Sequence, residues 1–256
     1  FIGPNKGEMA CGEVGYGKMA SVQEIKKEID YLLKPGILTG KRALVTSGPT
    51  IEQIDPVRFI SNNSSGKQGH AIADALRRHG ADTNLISGPV NIKDPENVKV
   101  TKVNSAEEML HECRESLPVN IAVFAAAVSD WRCSNTSNIK IKKTPENDEL
   151  NLNLEKNQDI LKEISTLNKN RPDLVIGFSL ETDNLIETAK EKLKNKSCDW
   201  IVANGHYNGK ESVFDSDMNS VKLVENDNLE DWGYLTKNDV AEKLCIKISK
   251  FFNEAA

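Results

Sequence analysis

From Lys41 onward, apolar residues fall into short, nearly continuous blocks separated by stretches of helical spacing. The blocks predict strands over 42–46, 83–87, 98–103, 120–125, 174–178 and 200–203. Residues recurring at three and four positions predict helices over 69–79, 105–115, 157–167 and 183–194. Ser105 and Glu108 form a capping box at the second of these. A last amphipathic helix carries Val240, Ala241, Leu244, Cys245, Ile248, Phe251 and Phe252, with Thr236 or Asn238 as its cap. Strands without polar alternation that take turns with helices imply an α/β fold, a mostly parallel sheet covered on both faces as in a Rossmann-like three-layer sandwich. The stretch 139–154 departs from this rhythm. Ile139-Lys140-Ile141-Lys142 and Leu150-Asn151-Leu152-Asn153-Leu154 alternate with period two around a polar turn, which predicts a projecting β-hairpin.

The first 40 residues follow another pattern. Residues 1–20 are glycine-rich and irregular, and Ser21 with Glu24 then caps a helix through Val22, Ile25, Ile29, Leu32 and Leu33. Lys34-Pro35-Gly36 stops it. The expected division is an N-terminal remnant over 1–20, a linker helix over 21–40 and one large domain over 41–256.

A polar, glycine-punctuated segment spans 55–69, Asp-Pro-Val-Arg-Phe-Ile-Ser-Asn-Asn-Ser-Ser-Gly-Lys-Gln-Gly. It links the strand 42–46 to a helix. Small hydroxyl residues and glycines at a helix start expose backbone N–H groups where the helix dipole adds positive potential, which suits a phosphate. Asn62 and Arg58 are polar groups that a plain turn does not need. The glycine-and-lysine spacing of a P-loop is absent, so a long surface turn remains the other reading.

Composition narrows the classes. Charged residues make up 28% of the chain and the formal net charge is −5, which argues against a general nucleic-acid binder. No apolar run reaches the length of a membrane span, and no signal peptide is visible. Phe1 in place of an initiator methionine suggests a fragment. Five cysteines without a CxxC pair point to reduced thiols in a cytoplasm, with neither disulfides nor a zinc site.

Other candidates stay two-sided on residue chemistry alone. Ala125-Ala126-Ala127-Val128-Ser129-Asp130 ends a buried strand with small residues. Its backbone could read a flat base and Asp130 a ribose, or the segment is a packed strand end with Asp130 as a helix cap. Lys140 and Lys142 share one strand face, either as guards of a sheet edge or as cations over phosphates. Lys156 and Asp159 at a helix start are equally ambiguous.

Taken in order, Thr46-Ser47-Gly48-Pro49-Thr50, the segment 55–62, Ser64-Ser65-Gly66-Lys67, Ser87-Gly88-Pro89-Val90, 126–130, Lys140-Ile141-Lys142-Lys143, Gly177-Phe178 with Glu181-Thr182, and 199–204 resemble the phosphopantothenate–cysteine ligase family of coenzyme A biosynthesis. Residues 10–19 resemble the last motif of phosphopantothenoylcysteine decarboxylase, commonly fused upstream in a bifunctional bacterial protein. The resemblance implies ligation of 4′-phosphopantothenate to L-cysteine through an acyl-cytidylate, with CTP as cosubstrate and Mg²⁺. It implies catalytic roles for Asn62 and Lys140. Nucleotide contacts fall on Gly48, Ser64, Ser65, Gly66, Ala126, Ala127, Asp130, Lys140, Lys156, Asp159 and Phe178, and substrate contacts on Asn62 and Arg58. Cys11 becomes the silent remnant of a decarboxylase whose FMN belongs to absent sequence. The expected assembly is a homodimer, and a larger homo-oligomer in the longer protein. Gln158 and Ser179-Leu180 depart from that family's pattern in loop shape.

Two rival classes differ in prediction. A nicotinamide-dependent reductase requires G-x-G-x-x-G after the first strand and an acid ending the second, where this chain has Gly48-Pro49-Thr50 and Ser87-Gly88. A non-catalytic scaffold would not need Asn62, Asp130 and Lys140 together.

Overall fold

A computed structural model of the chain describes residues 2–8, 12–33, 36–142, 150–181, 184–205 and 216–254. Strands β1 (Asn5–Glu8) and β2 (Val14–Lys18) pair antiparallel, and helix α1 (Val22–Leu33) follows. Ser21 and Glu24 cap α1 reciprocally, each backbone N–H donating to the other's side chain at 2.7 and 3.2 Å.

The next elements are β3 (Arg42–Ser47), β4 (Ile51–Gln53), β5 (Phe59–Ser61), α2 (Lys67–Arg78), β6 (Asp82–Ser87), β7 (Lys99–Lys102) and α3 (Ala106–Glu115). Then come β8 (Ile121–Phe124), β9 (Trp131–Cys133), β10 (Leu154–Lys156), α4 (Ile160–Ser165), β11 (Leu174–Glu181) and α5 (Leu185–Lys196). The described chain closes with β12 (Trp200–Gly205), β13 (Met218–Val224), β14 (Leu229–Thr236) and α6 (Lys237–Glu254).

One eight-stranded sheet runs in the order β14-β13-β12-β11-β8-β3-β6-β7. The six strands from β12 to β7 are parallel, and β13 and β14 add antiparallel at one edge. The chain first builds outward from β3 through β6 to β7, then returns to lay β8, β11 and β12 on the other side. That order makes the fold a Rossmann-like α/β sandwich and puts its topological switch point between β3 and β8.

Alternation along the central strands fills two cores. Ala43, Val45, Ile121, Val123, Leu174 and Ile176 face α2 and α6, where they meet Ile72, Leu76, Val240, Leu244 and Ile248. Leu44, Ala122, Val175 and Ile201 face the opposite layer and meet Met109, Leu110, Ile160, Ile164 and Leu193 of α3, α4 and α5. Each fully buried side chain of this size stabilises the fold by about 1.5–3 kcal/mol. Burial on both faces explains why these strands read as continuous apolar blocks.

The predicted six strands and four helices are all present, with ends shifted by a few residues. Helix α2 starts earlier than expected, at Lys67. Thr236 caps α6, its Oγ1 accepting from the Asp239 N–H at 3.0 Å. The segments 139–142 and 150–153 are irregular, and the turn 143–149 lies outside the described residues. The projecting ladder is instead β9 with β10. The alternation at 139–142 was a fair strand signal, but charged side chains satisfy the backbone there in place of a neighbouring strand. Ile141 N–H donates to Asp55 Oδ2 at 3.1 Å, and Arg58 Nη2 donates to the Ile141 carbonyl at 2.6 Å.

Asp55 is the centre of that tie. Its side chain is buried, and burial alone would raise its pKa. The N–H groups of Val57 and Ile141, the Arg58 side chain and the Arg58 N–H override this and hold it at about 2, below the ordinary 3.8. A carboxylate depressed on folding contributes stability that is present above the unfolded value and lost as pH falls through the folded one. Between pH 4 and pH 2 the protein should therefore lose more thermal stability than its Asp55→Asn variant. Parallel melting curves across that window would remove Asp55 from this role.

Candidate functional site

Three chain segments converge beyond the carboxyl ends of β3 and β8: the loop into α2, residues 125–130, and the start of α4. They enclose a cleft of about 670 Å³. Ligands of open α/β sheets bind at this switch point because the connecting loops diverge there and leave a crevice.

The loop 62–69 forms one wall, with Ser64, Ser65, Gly66, Lys67, Gln68 and Gly69 against the cavity. Gly66 occupies the N-cap of α2 at φ 73°, offers no side-chain cap, and no acid stands in the helix's first turn. An N-terminus built this way keeps its positive end for a bound anion. Behind it, Ser47 Oγ donates to the Gly66 carbonyl at 2.9 Å and lies 3.0 Å from His70 Nδ1. Burial lowers the His70 pKa.

The strand end 125–130 is the second wall, and it is held from below. The Ala126 N–H donates to Thr46 Oγ1 at 3.3 Å, the Ala127 N–H to the Gly48 carbonyl at 2.9 Å, and the Ser129 N–H to Thr50 Oγ1 at 2.9 Å. Asn62 Nδ2 donates to the Val128 carbonyl at 2.9 Å, and buried Asn157 donates to the Ser129 carbonyl at 2.9 Å. The N–H groups of Ala126 and Ala127 thus serve the scaffold already, so a ligand here would meet carbonyl oxygens more than donors.

The third wall is cationic. Lys156, Lys192 and Lys196 line the cleft with Asp130 and Asp159, while Lys67 and Lys237 stand near α2 and α6. Asp159 caps α4 by accepting from the Lys162 N–H at 3.1 Å and pairs with Lys196. Lys192 pairs with Glu181 at 2.6 Å. Lys67 pairs with Asp217 at 2.7 Å, so the five lysines face Asp130, Asp159, Glu181 and Asp217 and leave a small excess of positive charge in a chain of net charge −5.

Of the residues singled out by sequence, Asn62, Ser64, Ser65, Gly66, Ala126, Ala127, Asp130, Lys156, Asp159 and Phe178 line the cleft together. Gly48 lies just beneath, as the acceptor for Ala127. Arg58 is turned to Asp55 and Ile141, and Lys140 is exposed beside that tie; neither lines the cavity. Cys11 lies outside the described residues. Sequence reading assigned no contact to Gln68, Ser179, Lys192, Lys196, Asn204, Asn219 and Lys237, all of which line the cleft. Lys192 and Lys196 had a usable signal, because positions four apart share one helix face. Asn219 and Lys237 had none, since their strand and helix reach the cleft only through the sheet order. Among the described residues no group of His, Cys, Asp or Glu is arranged to hold a metal ion, and no helix is long and apolar enough to cross a membrane.

Comparison with known proteins places the chain more firmly. The family model of the DNA/pantothenate metabolism flavoprotein C-terminal domain matches residues 38–252. The coenzyme A biosynthesis bifunctional protein of Haemophilus influenzae is 43% identical over 225 residues, covering 87% of this chain and 55% of that protein. A cysteine/cysteine sulfinic acid decarboxylase from an unknown prokaryotic organism is 39% identical over 256 residues, covering 97% of this chain and 70% of that protein. The crystal structure of the C-terminal domain of a coenzyme A biosynthesis bifunctional protein superposes with a TM-score of 0.71 at 33% identity, covering 86% of this chain and 99% of that one. The chain spans about half the length of the coenzyme A biosynthesis relatives it matches.

These findings correct the resemblance drawn from the motifs. The matching family is described as a flavoprotein, and the relatives' names carry coenzyme A biosynthesis and decarboxylation; none of these descriptions carries a ligase, a cytidine nucleotide or magnesium. The identification as a phosphopantothenate–cysteine ligase, the CTP-dependent ligation, and CTP and Mg²⁺ as cosubstrate and cofactor are not carried forward. The expectation of a silent decarboxylase, with FMN confined to absent sequence, is withdrawn with them, as is the nicotinamide reductase. The physical reason lies in what the motifs encode. They describe loops that present backbone groups and cations to a ligand, and such loops specify a binding surface without specifying which bond is broken.

A flavin is the group that the family description implies, and the described residues fit it unequally. The loop 64–69 suits its phosphate. Its ring system finds no matching pair of walls, because the aromatic lining is Phe124, packed into the core, and half-buried Phe178. The described cysteines are all buried. Desolvation raises the thiols of Cys113 and Cys245 and pushes Cys198 up to about 12. The ring does not fit the described cleft, and no step is derived through it.

Proposed function

Because the chain belongs to the DNA/pantothenate metabolism flavoprotein C-terminal domain family, we propose that its cleft binds a phosphorylated pantothenate derivative as part of a coenzyme A biosynthesis protein. The observation that carries this reading is the pairing of an uncapped helix N-terminus, free of acids, with a lysine-rich wall in an otherwise acidic chain. Phosphate at the start of α2 would put the organic part of the ligand along residues 125–130. The contacts expected from the sequence at Asn62, Ser64, Ser65, Gly66, Asp130, Lys156, Asp159 and Phe178 are proposed as ligand-binding residues on that basis. The domain division is proposed near residue 40, with 1–20 and the helix after it outside the binding domain.

Decarboxylation, the reaction named for one relative, needs a group that accepts the electron pair left on carbon. We assign the described cleft the binding and orientation of the phosphorylated ligand for such chemistry.

Calorimetric titration tests the reading. Charge-assisted hydrogen bonds to a phosphate contribute roughly 1.5–3 kcal/mol each. 4′-Phosphopantothenate should therefore bind about 100-fold or more tightly than pantothenate, with an advantage that shrinks as salt is raised. Equal affinity for the two compounds would sink the proposal.

A further inference from the structure

Three polar atoms at the inner end of the cleft are buried and have no protein partner: Ser179 Oγ, Asn204 Oδ1 and Asn219 Oδ1. Only for Asn219 does the surrounding network settle what the atom can do. Asn219 lies on β13 and is 3% exposed. Its Nδ2 donates to Gln68 Oε1 at 3.0 Å, and Gln68 Nε2 donates to the Lys237 backbone carbonyl at 3.1 Å.

A carbonyl can only accept, so the Gln68 amide must turn its nitrogen toward Lys237 and its oxygen toward Asn219. Asn219 must then offer its nitrogen to Gln68. Its oxygen is left as a buried acceptor on a residue that lines the cleft, and it cannot be exchanged for a donor without breaking a hydrogen bond of this network. Amide orientation follows from the network here, as it does wherever oxygen and nitrogen have similar shape. A buried acceptor without a partner costs roughly 1–3 kcal/mol, so its persistence in a cleft wall calls for a donor from the ligand.

We infer that Asn219 Oδ1, oriented by Gln68 and the first residue of α6, is a specificity contact that accepts a hydrogen bond from a hydroxyl or amide N–H of the bound ligand. The inference rests on the phosphorylated pantothenate reading and deepens it, because such a ligand carries a hydroxyl and an amide N–H beyond its phosphate. Asn219 is the contact; Gln68 is a positioning residue.

The test compares 4′-phosphopantothenate with analogues that each lose one donor without gaining bulk: the 2-deoxy compound and the compound in which its amide N–H is replaced by an ester oxygen. On the parent protein one analogue should bind about 10- to 100-fold more weakly. In Asn219→Ala that same penalty should shrink to less than about threefold. Gln68→Leu, which leaves Asn219 in place but frees its amide to turn, should show an intermediate penalty and serves as the second variant where Asn219→Ala folds poorly. A penalty unchanged in both variants, or no analogue discriminated by the parent, overturns the inference while the phosphate preference stands. No binding of 4′-phosphopantothenate by the parent overturns both.

Discussion

Replacing Gly88 with alanine is expected to lower the unfolding temperature by roughly 6–12 °C, corresponding to about 3 kcal/mol for a chain of this size. Gly88 follows β6 and donates its N–H to the Ser47 carbonyl at 2.9 Å. A Cβ at this position would stand 1.7 Å from the Pro49 carbonyl oxygen and 2.9 Å from its carbon. Both obstacles are backbone, so no side-chain rotation relieves them. Either the turn 48–50 or the end of β6 must move. Pro49 bridges to Ala127, and the Gly48 carbonyl accepts from the Ala127 N–H. Displacement of the turn therefore reaches the cleft wall 126–128, and ligand affinity should fall along with stability. Differential scanning calorimetry and ligand titration of the variant check both effects. A melting temperature within 2 °C of the parent would show that the turn yields at little cost.

The second large effect is expected at Gly66, and it should fall on binding more than on folding. A left-handed backbone at φ 73° costs a residue with a side chain about 1–2 kcal/mol. The new Cβ of Gly66→Ala would also stand 2.7 Å from Val90 Cγ1 and 3.3 Å from Ser47 Oγ. Relaxation of the N-cap would turn the first N–H groups of α2 away from the cavity. Binding of 4′-phosphopantothenate should weaken about 100-fold, the equivalent of two charge-assisted hydrogen bonds. Binding of phosphate-free pantothenate should change less than about threefold. Adding Val90→Ala removes the steric part and should return some of the lost affinity, with the backbone part remaining. Equal losses for both ligands would mean that Gly66 shapes the whole cleft without serving the phosphate in particular.

The two glycines explain why the loop pattern was legible while its chemistry was not. Ser64-Ser65-Gly66-Lys67 announces a helix start with open N–H groups, and the structure puts that start at the switch point. The same local pattern serves any phosphorylated ligand. Lys140 shows the limit from the other side. Its alternation with isoleucines suggested a strand face, either guarding a sheet edge or lying over phosphates, whereas Asp55 and Arg58 capture the adjoining backbone and leave Lys140 exposed away from the cavity.

Sequence alone determined the α/β alternation, the six parallel strands and the helices between them, because burial on both faces of a sheet forces continuous apolar blocks and burial of one helix face forces a 3.6-residue period. It also determined the polar loop that opens α2, whose signal is local to one helix start. Tertiary structure decided what depends on elements distant in the chain. The antiparallel pair β13 and β14 carries Asn219 to the cleft, and α6 brings Lys237 beside Gln68 across an interval of 169 residues. No spacing rule reaches that far. The direction in which Asn219 presents its oxygen was settled by a carbonyl in one element and an amide in another, and those meet only after the sheet has closed around its core.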